Sequence, residues 1–238
     1  MSLSKKTLFV IQHTDSEFLG RMEDHFEGRG IRFNYLRPHT APEQLPNSVG
    51  HADGLILLGG GPWGSAGTRD LPSLREETTL VRECLSRNIP VIGIGLGSQI
   101  LAIAAGGSVE PSDLVFEVGQ ARSVVDDALN GFLPTEFPLV TYMRDRPVPP
   151  DYALVLAEDE KGRPALFQIG EQFFGFAGHP GAKRGMIEDL IMEFSESPDF
   201  DAANLDLVSQ LQPEIEDALV GIMTGLIQKT GLMRNPSD

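Results

Sequence analysis

The sequence predicts an α/β fold of three layers: a mostly parallel central sheet with helices on both faces, plus a C-terminal helical extension. Three observations carry this expectation. Continuous apolar runs at residues 54–58 and 89–94 read as strands buried on both faces, as strands of a parallel sheet under two helical layers must be. Helical stretches alternate with such runs up to residue 105. Near the C-terminus, Ile215, Leu219, Ile222, Met223 and Leu226 fall at offsets 0, 4, 7, 8 and 11, one face of an amphipathic helix.

Residues 7–12 form a short β-rich run, and residues 16–28 have a helical pattern that closes on glycine. Residues 31–36 alternate like a strand. The run at 54–58 ends in Gly59-Gly60-Gly61-Pro62, and residues 71–87 are helical. After the run at 89–94, residues 99–105 make a short apolar helix stopped by Gly106-Gly107. From 109 to 176 the pattern changes to short strands at 122–125, 139–142, 153–157, 165–169 and 173–176, separated by proline and charged turns. These read as an antiparallel annex that returns to the main sheet. Helices follow from residue 179 to the end, one at 186–194 and another opening just after Pro213 and closing at Gly231. No repeat or linker interrupts the chain, so residues 1–195 are expected to form one domain and 196–238 a helical extension of it.

Composition narrows the function. Nineteen basic residues against 34 acidic give a net charge of −15, which repels nucleic acid. No apolar run reaches the length of a membrane span, and the N-terminus lacks a secretory signal pattern, so a soluble cytoplasmic protein away from membranes is expected. The single cysteine, Cys84, rules out an intrachain disulfide and lies within a helical pattern beside Val81 and Leu85, where it reads as a buried structural thiol. No metal or cofactor is expected.

Chemistry is expected at three places. The glycines at 59–61 follow a buried strand, where backbone N–H groups can approach an anion or oxyanion, although a plain turn would look the same. In residues 91–101, a buried strand runs through Gly93-x-Gly95-x-Gly97 into a helix. Such a strand–turn–helix elbow presents one residue at the top of the sheet. A dinucleotide fingerprint would need glycine where Ser98 stands. Third, the strand at 173–176 leads to His179-Pro180-Gly181.

Together, and in this order and spacing, the three segments resemble the class I glutamine amidotransferases over about residues 7–195. Residues 58–62 resemble the family's Gly-Gly-Pro oxyanion loop, 90–107 its nucleophile elbow, and 175–181 its histidine strand. Glu117-Val-Gly119 and the stretch 138–145 are similar to stand-alone proteins akin to the amidotransferase half of GMP synthase. The resemblance implies a flavodoxin-like α/β fold. It also implies a substrate and oxyanion pocket built from Gly60, Gly61, Leu96 and Gln99. By the same resemblance the nucleophilic cysteine falls on Gly95 and the triad glutamate on Gly181, leaving only His179. A histidine common near Asp145 in such relatives falls on Met143. In the intact family a thiolate attacks the amide, the histidine moves the proton and the carboxylate orients the histidine.

The expected function is therefore that of a degenerate amidotransferase-like protein without ordinary glutaminase activity. Its pocket would take a small carboxylate or amide, or the chain would serve a synthetase-type partner or a second copy of itself. Two alternatives stay open: a hydrolase or transferase with His179 as base, and a phosphate- or nucleotide-binding module built on the glycine turns.

Overall fold

The computed structural model describes residues 6–198 and 202–233. Residues 1–5, and residues 199–201 and 234–238 of the expected extension at 196–238, lie outside this range. Five strands run parallel in the order β2-β1-β3-β4-β11: β1 (Thr7–Ile11), β2 (Arg32–Leu36), β3 (Gly54–Leu57), β4 (Val91–Ile94) and β11 (Phe173–Phe176). Four antiparallel strands extend the same sheet as β10-β9-β6-β7: β6 (Val115–Ser123), β7 (Glu136–Met143), β9 (Leu154–Asp159) and β10 (Pro164–Ile169). Two short strands, β5 (Ser108–Glu110) and β8 (Arg146–Val148), pair apart from it.

The three-layer expectation holds because the parallel strands alternate their burial between two cores. Ile56, Leu58, Ile92 and Ile94 face one side with Met22 and Phe26 of α1 (Met22–Glu27) and Leu219, Ile222, Met223 and Leu226 of α5 (Ala202–Lys229). Leu55, Leu57 and Val91 face the other with Leu80, Val81 and Cys84 of α2 (Leu74–Arg87) and Ile100 and Leu101 of α3 (Leu96–Ala104). A third cluster joins α4 (Arg184–Glu193) and the first half of α5 to Phe116, Val140 and Tyr142 of the annex. No helix among the described residues is long and apolar enough to cross a membrane.

Three sequence expectations are corrected. The helical pattern at 16–28 yields a helix only from Met22. Ahead of it, local polar groups take over the backbone: Thr14 Oγ1 accepts the Glu17 N–H at 3.0 Å, and the Glu193 carboxylate accepts the N–H groups of Asp15 and Ser16, each at 2.9 Å. The last helix does not open after Pro213 but runs through it from Ala202. Burial of Leu205 and Val208 upstream, and of Ile215 and Leu219 downstream, holds both sides of the proline in one helix despite the N–H it lacks. The strand expected at 122–125 contributes only Arg122 and Ser123, as the end of a longer strand, β6.

Candidate functional site

All five parallel strands end at one edge, and the loops leaving β1, β3, β4 and β11 meet there. Between β4 and α3 the chain turns at Gly95 with φ 55° and ψ −116°, a conformation an L side chain adopts only under strain. A Cβ on Gly95 would stand 3.3 Å from Gly59 Cα, so the elbow and the first glycine loop are in direct contact. Gly60 packs on the Leu96 side chain so closely that a Cβ there would overlap it.

The sequence-predicted residues are largely committed to internal contacts. Gln99 is fully buried: its Nε2 donates to Arg144 O at 2.6 Å and its Oε1 accepts from Ser65 Oγ at 2.6 Å. Ser98 Oγ donates to Gly95 O at 2.6 Å. Cys84 is buried in α2, and burial pushes its thiol up to about 12. His179 Nε2 lies 2.8 Å from Phe18 O and its Nδ1 accepts the Gly181 N–H at 3.1 Å, which assigns the proton to Nε2. Burial lowers the His179 pKa to about 4, and the hydrogen bond to Phe18 O only partly offsets this. At Gly181, a Cβ would stand 3.1–3.2 Å from backbone atoms of residues 19–22, so the entry to α1 fills the ground beyond it.

The structure adds residues that sequence patterns do not single out. Glu17, four residues past His13, turns its carboxyl into the first glycine loop, where a Cβ on Gly59 would overlap it. Burial raises its pKa to about 7, against the pull of His13 and of hydrogen bonds from the Gly61 and Gly59 backbone. Its Oε2 is buried without a hydrogen-bond partner, as is the hydroxyl of Tyr142, whose pKa burial and the nearby Glu17 and Glu193 raise to about 12. His13 is also buried. Its Nδ1 lies 2.9 Å from Gly59 O and its Nε2 2.8 Å from Glu77 Oε2, while Ser73 Oγ donates to the other Glu77 oxygen at 2.6 Å. Burial of His13 works against its charge, but Glu77, with help from Gly59 O and Glu17, outweighs it, so the His13 pKa is raised. The signal for these residues is position: polar side chains directly after a buried parallel strand stand at the ligand edge of the sheet.

A strap closes the same edge. Phe194 lies against Gly61, Arg144 Nε donates to Pro62 O at 2.9 Å, and Glu196 pairs with both Arg144 and Arg69. Among the described residues no group of three or more metal-ligating side chains comes together.

Known proteins share both the sequence pattern and the fold of this chain. The family model for glutamine amidotransferase class-I matches residues 13–193. The glutamine amidotransferase-like protein YfeJ of Salmonella typhimurium is 32% identical over 191 residues, covering 77% of this chain and 78% of that protein. One subunit of the glutamine-hydrolyzing GMP synthase of Methanococcus maripaludis is 25% identical over 191 residues, covering 78% of this chain and 94% of its own. A crystal structure of a glutamine amidotransferase from Methylobacillus flagellatus superposes with a TM-score of 0.80 at 23% identity over 95% of this chain and 96% of its own. Sequence and architecture thus converge on one assignment: the chain belongs to the class I glutamine amidotransferase family.

Proposed function

We propose that this protein keeps the amidotransferase scaffold but does not hydrolyse glutamine through a thiol, and that it acts by binding, either to a small amide or to a partner protein. The observation that carries this reading is Gly95, which stands at the elbow with no side chain to attack a carbonyl carbon. The neighbours that could substitute are occupied elsewhere: Ser98 bonds Gly95 O, and the Cys84 thiol is buried with its pKa pushed up. Of the N–H groups in the first glycine loop, those of Gly59 and Gly61 face the Glu17 carboxyl. That arrangement favours a neutral amide over a second carboxylate as ligand. The Methanococcus maripaludis relative is itself one subunit of a larger enzyme, which supports a partner role.

Neither alternative fits as well. A water-activating base needs a free lone pair near neutral pKa, whereas His179 has both ring nitrogens in hydrogen bonds and a pKa of about 4. A phosphate site at residues 59–61 would place its charge against Glu17. The deciding measurement is ammonia release from glutamine by the purified protein. No release above a buffer control is expected; sustained turnover would sink the proposal.

A further inference from the structure

We propose a second ligand site on this chain, at the same carboxyl edge of the sheet but lined by residues other than Gly95 and His179: a pocket for a small organic cation, an amine carried on an apolar or aromatic body. The pocket has a volume of about 430 Å³, in the range of small-molecule sites. Its position in the fold argues for use. The strand order β2-β1-β3-β4 reverses direction between β1 and β3, and the crevice outside the carboxyl ends of strands at such a reversal is where open α/β sheets bind ligands. The pocket walls come from the segments that leave those strands: His13 after β1, Pro38 to Leu45 after β2, and Trp63 to Glu76 after β3.

The lining sets the chemistry. Pro38, Pro42, Leu45, Trp63, Leu71 and Pro72 make the walls mostly apolar. Among the described residues no lysine or arginine lines it, and Arg69, stacked on Trp63, is paired with Glu196, so an anionic ligand would lack a counter-charge. The polar groups are mostly engaged: His13 with Gly59 O and Glu77, His39 with Gln12 O and Asp15, Ser73 with Glu77. Glu76 is the exception, an exposed carboxylate at the rim with no partner among the described residues. The N-terminal end of α2 opens beside the pocket, but its first turn already carries Glu76 and Glu77, which take up the positive end of that helix. The net charge of −15 adds attraction for a cation at longer range.

Trp63 is the single tryptophan of the chain and lies in this wall, so its fluorescence reports occupancy directly. The test uses 2-phenylethylamine as probe, with phenylacetate and 2-phenylethanol as anionic and neutral counterparts of the same shape, read by Trp63 fluorescence and by calorimetry. The amine is expected to saturate and to bind at least about tenfold more tightly than either counterpart. Leu45→Trp, which fills the pocket, and Glu76→Lys, which reverses the rim charge on an exposed residue, should each weaken it by about tenfold or more, by calorimetry. Absence of saturation with the amine at about 10 mM would overturn the site. Equal binding of the acid or the alcohol would overturn the charge assignment. Unchanged affinity in both variants, with the parent's melting profile kept, would overturn the location. None of these outcomes depends on whether the Gly95 edge hydrolyses glutamine.

Discussion

Glu17 and His179 hold opposite positions in the proton balance of this fold. The folded Glu17 carboxyl titrates at about 7, above its ordinary 4.5, so the fold prefers it protonated. Its contribution is complete below 4.5 and is lost as pH rises through 7, a change of about 3 kcal/mol. The folded His179 titrates at about 4, below its ordinary 6.5, so its contribution is present above 6.5 and is lost as pH falls through 4, again by about 3 kcal/mol. Between roughly 4.5 and 6.5 the two slopes have opposite sign and nearly cancel. Glu17→Gln keeps the shape and removes one slope. Urea unfolding of that variant should show stability rising relative to the parent by about 1.4 kcal/mol per pH unit across this window. At pH 8 the variant should be the more stable of the two. A difference that stays constant with pH would mean that Glu17 is not held protonated. The raised pKa of His13 does not confuse the reading, because its effect begins above the ordinary 6.5.

At the scale of elements, the strands and the C-terminal helix are legible in the sequence and the edges of helices are not. The buried runs that form β3 and β4 contain little but apolar residues and glycine, a pattern that suits a doubly covered strand, whereas the similar run at 173–176, read as part of the antiparallel annex, is β11, parallel to β4. The five apolar positions expected on the last helix are all buried, because an amphipathic stripe of that width has to meet a core. The segment before α1 carries a helical pattern and yet is not helix, because its fate is decided by distant partners. Glu193, 177 and 178 positions away, takes its N–H groups, and Gly59 makes room for the Glu17 carboxylate. No local pattern encodes such contacts. Gly225 offers a test of how α5 docks. Alanine in a helix interior normally stabilises by about 1 kcal/mol over glycine. Here a Cβ would overlap Leu129, at the turn where the chain passes under the helix. Gly225→Ala should therefore destabilise, by about 1–3 kcal/mol, in thermal or urea unfolding. A gain in stability would show that the helix and the turn are less closely packed than described.

Across the whole molecule, the three motif segments are readable because each is a strand ending in glycine at the same sheet edge, and topology alone brings those ends together. What surrounds them is not readable: the Glu17 carboxyl, the Arg144–Glu196–Arg69 network and Phe194 reach the edge from four separate stretches of chain. They matter for what Gly95 can become. Gly95→Cys places a Cβ 3.3 Å from Gly59 Cα, a tight contact that the first glycine loop must relieve by a few tenths of an ångström. The backbone at φ 55° and ψ −116° makes a side chain there cost about 1–3 kcal/mol, so the variant should fold with a lowered melting temperature. Its new thiol, at the N-terminal end of α3, should react with an alkylating reagent well ahead of Cys84, whose thiol is buried and pushed up to about 12. Glutamine turnover should nevertheless remain at background. The histidine that would take the thiol proton is held by Phe18 O and the Gly181 N–H, and its pKa of about 4 leaves it a weak base. Gly181→Glu added to Gly95→Cys should not restore activity either, since backbone of residues 19–22 stands 3.1–3.2 Å from the Cβ position. Mass spectrometry after alkylation and ammonia release from glutamine together decide the point. Selective alkylation without turnover is expected, and turnover from Gly95→Cys alone would show that His179 leaves Phe18 and that the edge opens in solution.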